Sequence, residues 1–99
     1  MGEVLVSERF YKDLEKALKG LPDDEVCSIL QKLGELAEEL HITPYPAHRF
    51  NLRKVVGKDH VEIRVRLGKF WAIYRVYKKR KEIVLLAFFR RDENSYRRL

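Results

Sequence analysis

The sequence predicts an α+β fold, with a short N-terminal strand and a two-helix hairpin packed on a mostly antiparallel sheet of about four strands. Three observations lead to this prediction. Residues 8–40 place apolar side chains at helical spacing, residues 49–90 alternate apolar and polar side chains, and a proline-containing linker separates the two parts. Helices followed by a run of strands are typical of α+β proteins. The 99 residues suit one domain, residues 1–99, with a short C-terminal segment after the last strand.

The N-terminal part predicts one short strand and two helices. Residues 4–6 are a β-type run, and Ser7 follows at the position of a helix N-cap. The first helix should end at residues 20–22, and Asp23 or Asp24 should cap the second. The apolar stripes predict an antiparallel hairpin with its acidic residues in solvent. They consist of Phe10, Leu14, Ala17, Leu18 and Leu21, and of Val26, Ile29, Leu30, Leu33, Ala37 and Leu40.

The C-terminal part predicts a meander of strands. The linker 43–46 contains two prolines and cannot continue a helix. An extended segment, residues 49–56, and a turn at residues 57–59 follow it. Residues 60–77, HVEIRVRLGKFWAIYRVY, predict a β-hairpin closed by the two-residue turn Gly68-Lys69. A second tight turn at Lys79-Arg80 then leads into the strand EIVLLAFFRR.

Pairing across these two turns divides the sheet into two faces. The apolar face should pack on the helices and consists of Val61, Ile63, Val65, Leu67, Phe70, Ala72, Val76, Ile83, Leu85, Ala87 and Phe89. We call the other side, which carries Arg64 and Trp71, the open face. Its predicted members are Glu62, Arg64, Arg66, Trp71, Ile73, Arg75, Val84, Leu86, Phe88 and Arg90. We expect an ion pair between Glu62 and Arg75 and a cation–π contact between Arg66 and Trp71.

The charge is divided unevenly along the chain. Residues 1–48 contain five Lys or Arg and ten Asp or Glu, a net charge of −5. Residues 49–99 contain sixteen Lys or Arg and five Asp or Glu, a net charge of +11, so the whole chain carries +6. This asymmetry favours a polyanion or an acidic partner for the C-terminal half. The run KKRK at residues 78–81 is equally compatible with a solvated turn.

Two interpretations of the open face remain at this point. In the first, its apolar residues form a second small core under the C-terminal segment, and the arginines fringe that core. In the second, the arginines bind phosphates while aromatic rings stack on unpaired bases, as in many proteins that bind single-stranded RNA. The two interpretations are compatible with each other.

Other chemistries find little support in the sequence. The single Cys27 has no disulfide partner in the chain, so we expect a cytoplasmic protein in a reducing environment. We expect the Cys27 side chain to pack in the protein core. No apolar run approaches the roughly 20 residues that span a bilayer, and no signal peptide opens the chain, so we expect no membrane partner. His41, His48 and His60 lack the spacing of a metal site, so we expect no metal and no cofactor.

The chain resembles the RelE/ParE superfamily of toxins from toxin–antitoxin systems over residues 4–96. The resemblance is carried by LRK, by EIRVRLGKFWAIYRV, by IVLLAFFRR and by Tyr96, on top of the β-α-α start. RelE-type members are ribosome-dependent messenger-RNA endonucleases that a cognate antitoxin inhibits, whereas ParE-type members act on DNA gyrase. The basic strand residues and the C-terminal tyrosine favour the RelE type. The resemblance therefore implies an antitoxin, the ribosome and mRNA as partners.

For the RelE type, the resemblance implies a catalytic site of Arg64, Arg66, Arg90 and Tyr96. The arginines would stabilise the phosphorane formed when a 2′-hydroxyl attacks its phosphate, without a metal. Tyr96 is the candidate general base, with base stacking as its alternative role. Neighbouring guanidinium groups would lower the pKa of this phenol. Trp71 stands where the family often has an arginine. We expect this departure from the family pattern to affect turnover more than RNA binding.

Further residues are assigned to binding. We expect Trp71, Arg75 and Arg91 to contact RNA. An apolar strip among the arginines, Ile73, Val84, Leu86 and Phe88, is the predicted antitoxin contact, because exposed apolar surface marks interaction sites. A gyrase-inhibiting toxin and a catalytically inactive RNA-binding module are the alternative functions.

Overall fold

Seven elements follow the predicted order in the computed structural model, which describes residues 3–91. They are β1 (Glu3–Val6), α1 (Glu8–Leu18), α2 (Asp23–Leu40), β2 (Asn51–Val56), β3 (Val61–Leu67), β4 (Phe70–Tyr77) and β5 (Glu82–Arg90). The strand order is β1-β5-β4-β3-β2. All neighbouring strands are antiparallel except β1, which runs parallel to β5. The α+β fold is confirmed, and the sheet has five strands because β1 joins its edge.

The helices begin and end close to the predicted residues. The Ser7 hydroxyl accepts a hydrogen bond from the Phe10 backbone N–H at 3.1 Å and so caps α1 as predicted. Pro22, rather than Asp23 or Asp24, is the N-cap residue of α2; both aspartates lie in its first turn. Carboxylates there stabilise the helix through its dipole. None of the helices within residues 3–91 is long and apolar enough to cross a membrane.

The buried face of α2 differs from the predicted stripe. Leu36 is fully buried, whereas Leu30, a predicted stripe residue, is 46% exposed. Cys27 is exposed as well, so the expectation that it packs in the core is wrong. The helix is thus rotated slightly relative to the stripe that the sequence suggested, because α2 packs under the sheet only along the side that carries Ile29, Leu36 and Leu40.

The β3–β4 hairpin has the predicted register. Leu67 pairs with Phe70, and each pair along the hairpin follows up to Val61 and Val76. Gly68 has a φ of +60° while Lys69 does not have a positive φ. This combination is typical of a type II′ turn, whose first central position favours glycine. The predicted ion pair is also present, since Arg75 Nε lies 3.4 Å from Glu62 Oε1.

A β-bulge in β5 changes the predicted pairing with β4. Tyr74 pairs with Leu85, but Ile73 pairs with Ala87, so Leu86 is an additional residue in β5. Uninterrupted pairing from the predicted Lys79-Arg80 turn would place Ala87 opposite Ala72, but Ala72 pairs with Phe88, so that register is wrong here. Beyond the bulge every side chain of β5 lies on the face opposite to the predicted one, because one inserted residue shifts a side-chain period of two.

The change of face corrects four predicted positions. Phe88 belongs to the main core instead of the open face, with its ring 5.9 Å from that of Phe10 and 5.0 Å from that of Phe70. Ala87 and Phe89 leave the helix side and form a second cluster with Ile73. Arg90 pairs with Phe70 and lies on the helix side.

Hydrogen bonds from the N-terminal part accommodate the bulge. Ser7 donates its backbone N–H to the Leu85 carbonyl at 2.9 Å and its hydroxyl to the Leu86 carbonyl at 3.0 Å. The Asp13 carboxylate accepts the Phe88 backbone N–H at 3.2 Å. Since β1 ends at Val6, these groups of β5 lack a strand partner, and the N-cap of α1 and Asp13 in its middle satisfy them instead.

Tyr74 connects the linker to the sheet and gives a pH-dependent prediction. Its buried hydroxyl donates to the Pro44 carbonyl at 2.7 Å, and burial raises the pKa of Tyr74 above its ordinary value near 10. The folded state therefore retains the proton longer than the unfolded state, so stability is kept below about pH 10 and falls above it. Tyr74→Phe should cost about 0.5–1.5 kcal/mol at neutral pH but reduce this alkaline loss.

Urea unfolding of the parent and the Tyr74→Phe variant across the alkaline range checks this prediction. A matched control is Tyr11→Phe, because Tyr11 is 60% exposed. Equal alkaline losses in the parent and in Tyr74→Phe would contradict the assignment.

Candidate nucleic-acid interface

A small pocket on the open face collects cationic and aromatic side chains. Arg53, Arg64, Trp71 and Phe89 line it, and its volume is about 50 Å³. Arg64 lies directly opposite Arg53 of β2, and the alternation of both strands points the two side chains to the same side. Phe89 joins them only because the bulge moves it to this face. The arrangement presents guanidinium groups to phosphates beside the half-buried Trp71 ring, which can stack on a base, whereas the buried Phe89 packs with Ile73 and Ala87.

Arg53 is the functional candidate that the sequence interpretation missed. Its guanidinium carbon lies 5.9 Å from the centroid of the Trp71 ring. Arg66 is opposite Trp71 in the register as predicted, but the cation over the ring comes from Arg53. The signal was present in the segment NLRKVV, where Leu52 is half-buried against the core and Arg53 is exposed. The antiparallel pairing of β2 with β3 then decides which arginine it meets.

Glu62 holds two arginines of the open face in place. Its carboxylate is almost buried, at 9% residue exposure, and it contacts Arg64 Nη2 at 3.7 Å and Arg75 Nε at 3.4 Å. Hydrogen bonding to Tyr77 and to Glu62 raises the pKa of Arg75 above its ordinary value. Two guanidinium groups on one carboxylate leave a net positive charge, so the cluster still attracts anions while its side chains are oriented.

Arg90 and Arg91, at the end of β5, lie in different surroundings. Arg90 lines a groove on the helix side together with Arg9, Asp13 and Lys16 of α1, so the prediction that it joins Arg64 and Arg66 on one face is wrong. Arg91 bonds instead to the β3–β4 turn. Its backbone N–H donates to the Lys69 carbonyl at 2.8 Å, and its Nη1 donates to the Gly68 carbonyl at 3.2 Å.

The other predicted site residues divide as follows. Arg66 lies exposed on the open face, and Arg75 is half-buried there. Tyr96 lies outside the described residues. Because Phe88 is 1% exposed and faces the helices, its prediction as an exposed antitoxin contact is wrong. Ile73 is on the open face but fully buried against Ala87 and Phe89.

Val84 and Leu86 are half-buried, so these two are the members of the predicted strip that keep accessible apolar surface.

Two of the three histidines contact neighbouring carboxylates instead of forming a joint site. His48 Nε2 lies 3.2 Å from Glu39 Oε2, and His60 Nδ1 lies 2.8 Å from Asp59 Oδ1. Hydrogen bonding to His60 lowers the pKa of Asp59. Within residues 3–91, no group of three His, Cys, Asp or Glu side chains has a metal-binding arrangement.

Comparison with known proteins places the chain in a family. No protein-family profile matches it. It is 37% identical over 82 residues to a Methanocaldococcus jannaschii protein named "Putative toxin RelE1", covering 83% of this chain and 86% of that protein.

Two solved structures have a similar fold. The first is an archaeal RelE–RelB complex from Pyrococcus horikoshii OT3, with a TM-score of 0.70, 28% identity, and coverage of 92% of this chain and 96% of that one. The second is a RelB–RelE antitoxin–toxin complex from Methanococcus jannaschii, with a TM-score of 0.64, 19% identity, and coverage of 88% and 90%. The sequence relative and the shared fold together show that this chain belongs to the RelE family of toxins.

Proposed function

We propose that the protein is a ribosome-dependent mRNA endonuclease whose activity a cognate antitoxin restrains. The observation that carries the proposal is the convergence of Arg53, Arg64 and Trp71 around one pocket of the open face. Membership of the RelE family supports the same reaction class. Such a pocket offers charge to a phosphate and a ring to a neighbouring base.

In the proposed reaction, the 2′-oxygen of one nucleotide attacks the adjacent phosphorus. The bond to the 5′-oxygen of the next nucleotide breaks, leaving a 2′,3′-cyclic phosphate and a 5′-hydroxyl. Arg64 and Arg66 would bind the two non-bridging oxygens, where negative charge increases in the transition state. Tyr96 is the proposed base that takes the 2′-hydroxyl proton, and water supplies a proton to the leaving 5′-oxygen.

Arg53 places a cation beside Trp71, the residue that replaces the family's arginine in this chain. The family often has an arginine where this chain has Trp71, and the guanidinium of Arg53 lies over that indole from the neighbouring strand. We propose that Arg53 takes over the charge of the missing arginine, while Trp71 stacks on a base. Arg75 and Arg91 would extend the contact with RNA on either side of the pocket.

The antitoxin is proposed to bind the same face through charge and apolar contact together. Val84 and Leu86 keep apolar surface next to Arg75, which suits an acidic segment with aliphatic side chains. The similar Pyrococcus horikoshii structure is a complex of RelE with RelB. Stopped-flow association with the cognate antitoxin should slow as salt rises. A salt-independent association rate would contradict the electrostatic part.

A cell-free translation extract tests the proposed activity. Purified protein is added to a translated message, and primer extension maps new 5′ ends, while DNA supercoiling by gyrase is measured in parallel. We expect cleavage of the translated message and unchanged supercoiling. A message without a start codon serves as the control, and it should stay intact. Loss of supercoiling with an intact message would instead support a gyrase-inhibiting toxin.

A further inference from the structure

The sheet carries a second group of cations at the end opposite the Gly68-Lys69 turn. Two connections lie there, residues 57–60 between β2 and β3 and residues 78–81 between β4 and β5. Residues of both connections line one shallow pocket. We call this surface the basic end and define it by the exposed side chains Lys58, Lys78, Lys79, Arg80 and Lys81.

The basic end is separate from the pocket of the open face. Trp71 and Tyr77 lie near opposite ends of β4. Their separation along the strand is about 20 Å at ~3.3 Å per residue. Ile73, which pairs with Arg64, is four residues from Tyr77, about 13 Å at ~3.3 Å per residue. A ligand at the basic end therefore contacts a different stretch of a polyanion from the one in the pocket.

Contacts within the basic end fix Arg80 and leave the lysines for solvent or a ligand. The Arg80 guanidinium lies 4.1 Å from the Tyr77 ring centroid, and its Nε lies 3.1 Å from Glu82 Oε1. The His60 ring centroid is 5.5 Å from that of Tyr77, so the connection of residues 57–60 also packs against Tyr77. Among the ion pairs within residues 3–91, none involves Lys58 or any lysine of residues 78–81.

The backbone of Lys81 provides an independent observation. Lys81 has a φ of +53°, and it is the one non-glycine residue with positive φ in the described part of the chain. Glycine or asparagine suits this left-handed conformation better than lysine does. The backbone at this position therefore does not by itself favour lysine, so glycine can replace it and remove the charge without adding strain.

We propose that the basic end binds the phosphate backbone of double-helical RNA while the open face binds the unpaired message. This inference rests on the proposed ribosome-dependent function, since ribosomal RNA is the duplex available to such a toxin. Lysine ammonium groups bind phosphates as point charges. Lysine is depleted from protein–protein interfaces, which favours RNA over a protein partner. Tyr77 is already packed by Arg80 and His60, which favours backbone contact over base stacking.

Two triple variants with the same change in net charge test the proposal. One removes three cations of the basic end, and the other, as a control, removes three exposed lysines from α1 and its C-cap. Fluorescence anisotropy measures binding to a blunt RNA duplex of about 16 base pairs and to an unstructured single-stranded RNA at several salt concentrations. The basic-end variant is Lys78→Gln/Lys79→Gln/Lys81→Gln and the control is Lys12→Gln/Lys16→Gln/Lys19→Gln.

We expect the basic-end variant to bind the duplex about tenfold more weakly, with a salt slope reduced by roughly 2–3, as three lost phosphate contacts require. Its affinity for single-stranded RNA should change less than twofold, and the α1 control should resemble the parent with both probes. Equal losses in the two triple variants would overturn the proposal, because they would reflect net charge alone.

Single substitutions separate binding from folding. Lys81→Gly removes a charge and relaxes the backbone, so it should keep or raise the melting temperature and still weaken duplex binding. Unchanged duplex affinity in this variant and in Lys58→Gln would also overturn the proposal. Selective duplex loss in a protein that cleaves no message would uphold the basic end and refute the proposed nuclease. If the parent cleaves the message but both triple variants lose the same duplex affinity, the proposed nuclease would be upheld and the basic end refuted.

Discussion

Replacing Phe88 by alanine is expected to destabilise the protein by about 3–5 kcal/mol. Phe88 is 1% exposed, and its ring lies between those of Phe10 in α1 and Phe70 in β4. The substitution removes an aromatic ring from the contact between helix and sheet, and the surrounding rings cannot close the cavity fully. Thermal or urea unfolding measures the loss directly.

Leu86→Ala is the matched control, since Leu86 is half-buried at the bulge on the other face. It should cost clearly less than Phe88→Ala. If Phe88→Ala folded as stably as the parent and only lost antitoxin affinity, the register assigned to β5 beyond the bulge would be wrong. This comparison therefore tests the bulge as well as the core.

Arg64→Gln is expected to lower the rate of message cleavage by about 10²–10³, the usual loss when one preorganised donor to a transition-state oxyanion is removed. Arg64 lines the open-face pocket opposite Arg53, and its guanidinium contacts the Glu62 carboxylate. Glutamine keeps part of the side-chain volume but supplies neither the charge nor the planar fork. Single-turnover cleavage on programmed ribosomes measures the effect.

Arg75→Gln is the control for Arg64→Gln, because Arg75 contacts the same carboxylate but does not line the pocket. Its cleavage rate should fall less than tenfold. Arg53→Gln should lie between the two, since Arg53 reaches the pocket from β2. Equal losses for Arg64→Gln and Arg75→Gln would show that general charge, not position in the pocket, determines the rate.

The amino-acid pattern was sufficient to predict the fold class, the order of elements and most of the open face. Local signals were sufficient for these: Ser7 capped its helix, Gly68 closed its hairpin, and period-two alternation paired Glu62 with Arg75. It also placed Arg64 and Arg66 beside Trp71, because both strands of one hairpin share a register that the short turn sets.

The face on which each β5 residue after Leu86 lies depends on long-range contacts that the sequence does not reveal. The segment AFF, residues 87–89 of β5, is apolar throughout and carries no local mark of an inserted residue, so Phe88 and Arg90 were assigned to the wrong side. The bulge depends on Ser7 and Asp13, which are distant in sequence and supply the hydrogen bonds that it needs. Arg53 was missed for a related reason: the pairing of β2 with β3 brings it over Trp71, and a cross-strand contact of this kind has no signature within one segment.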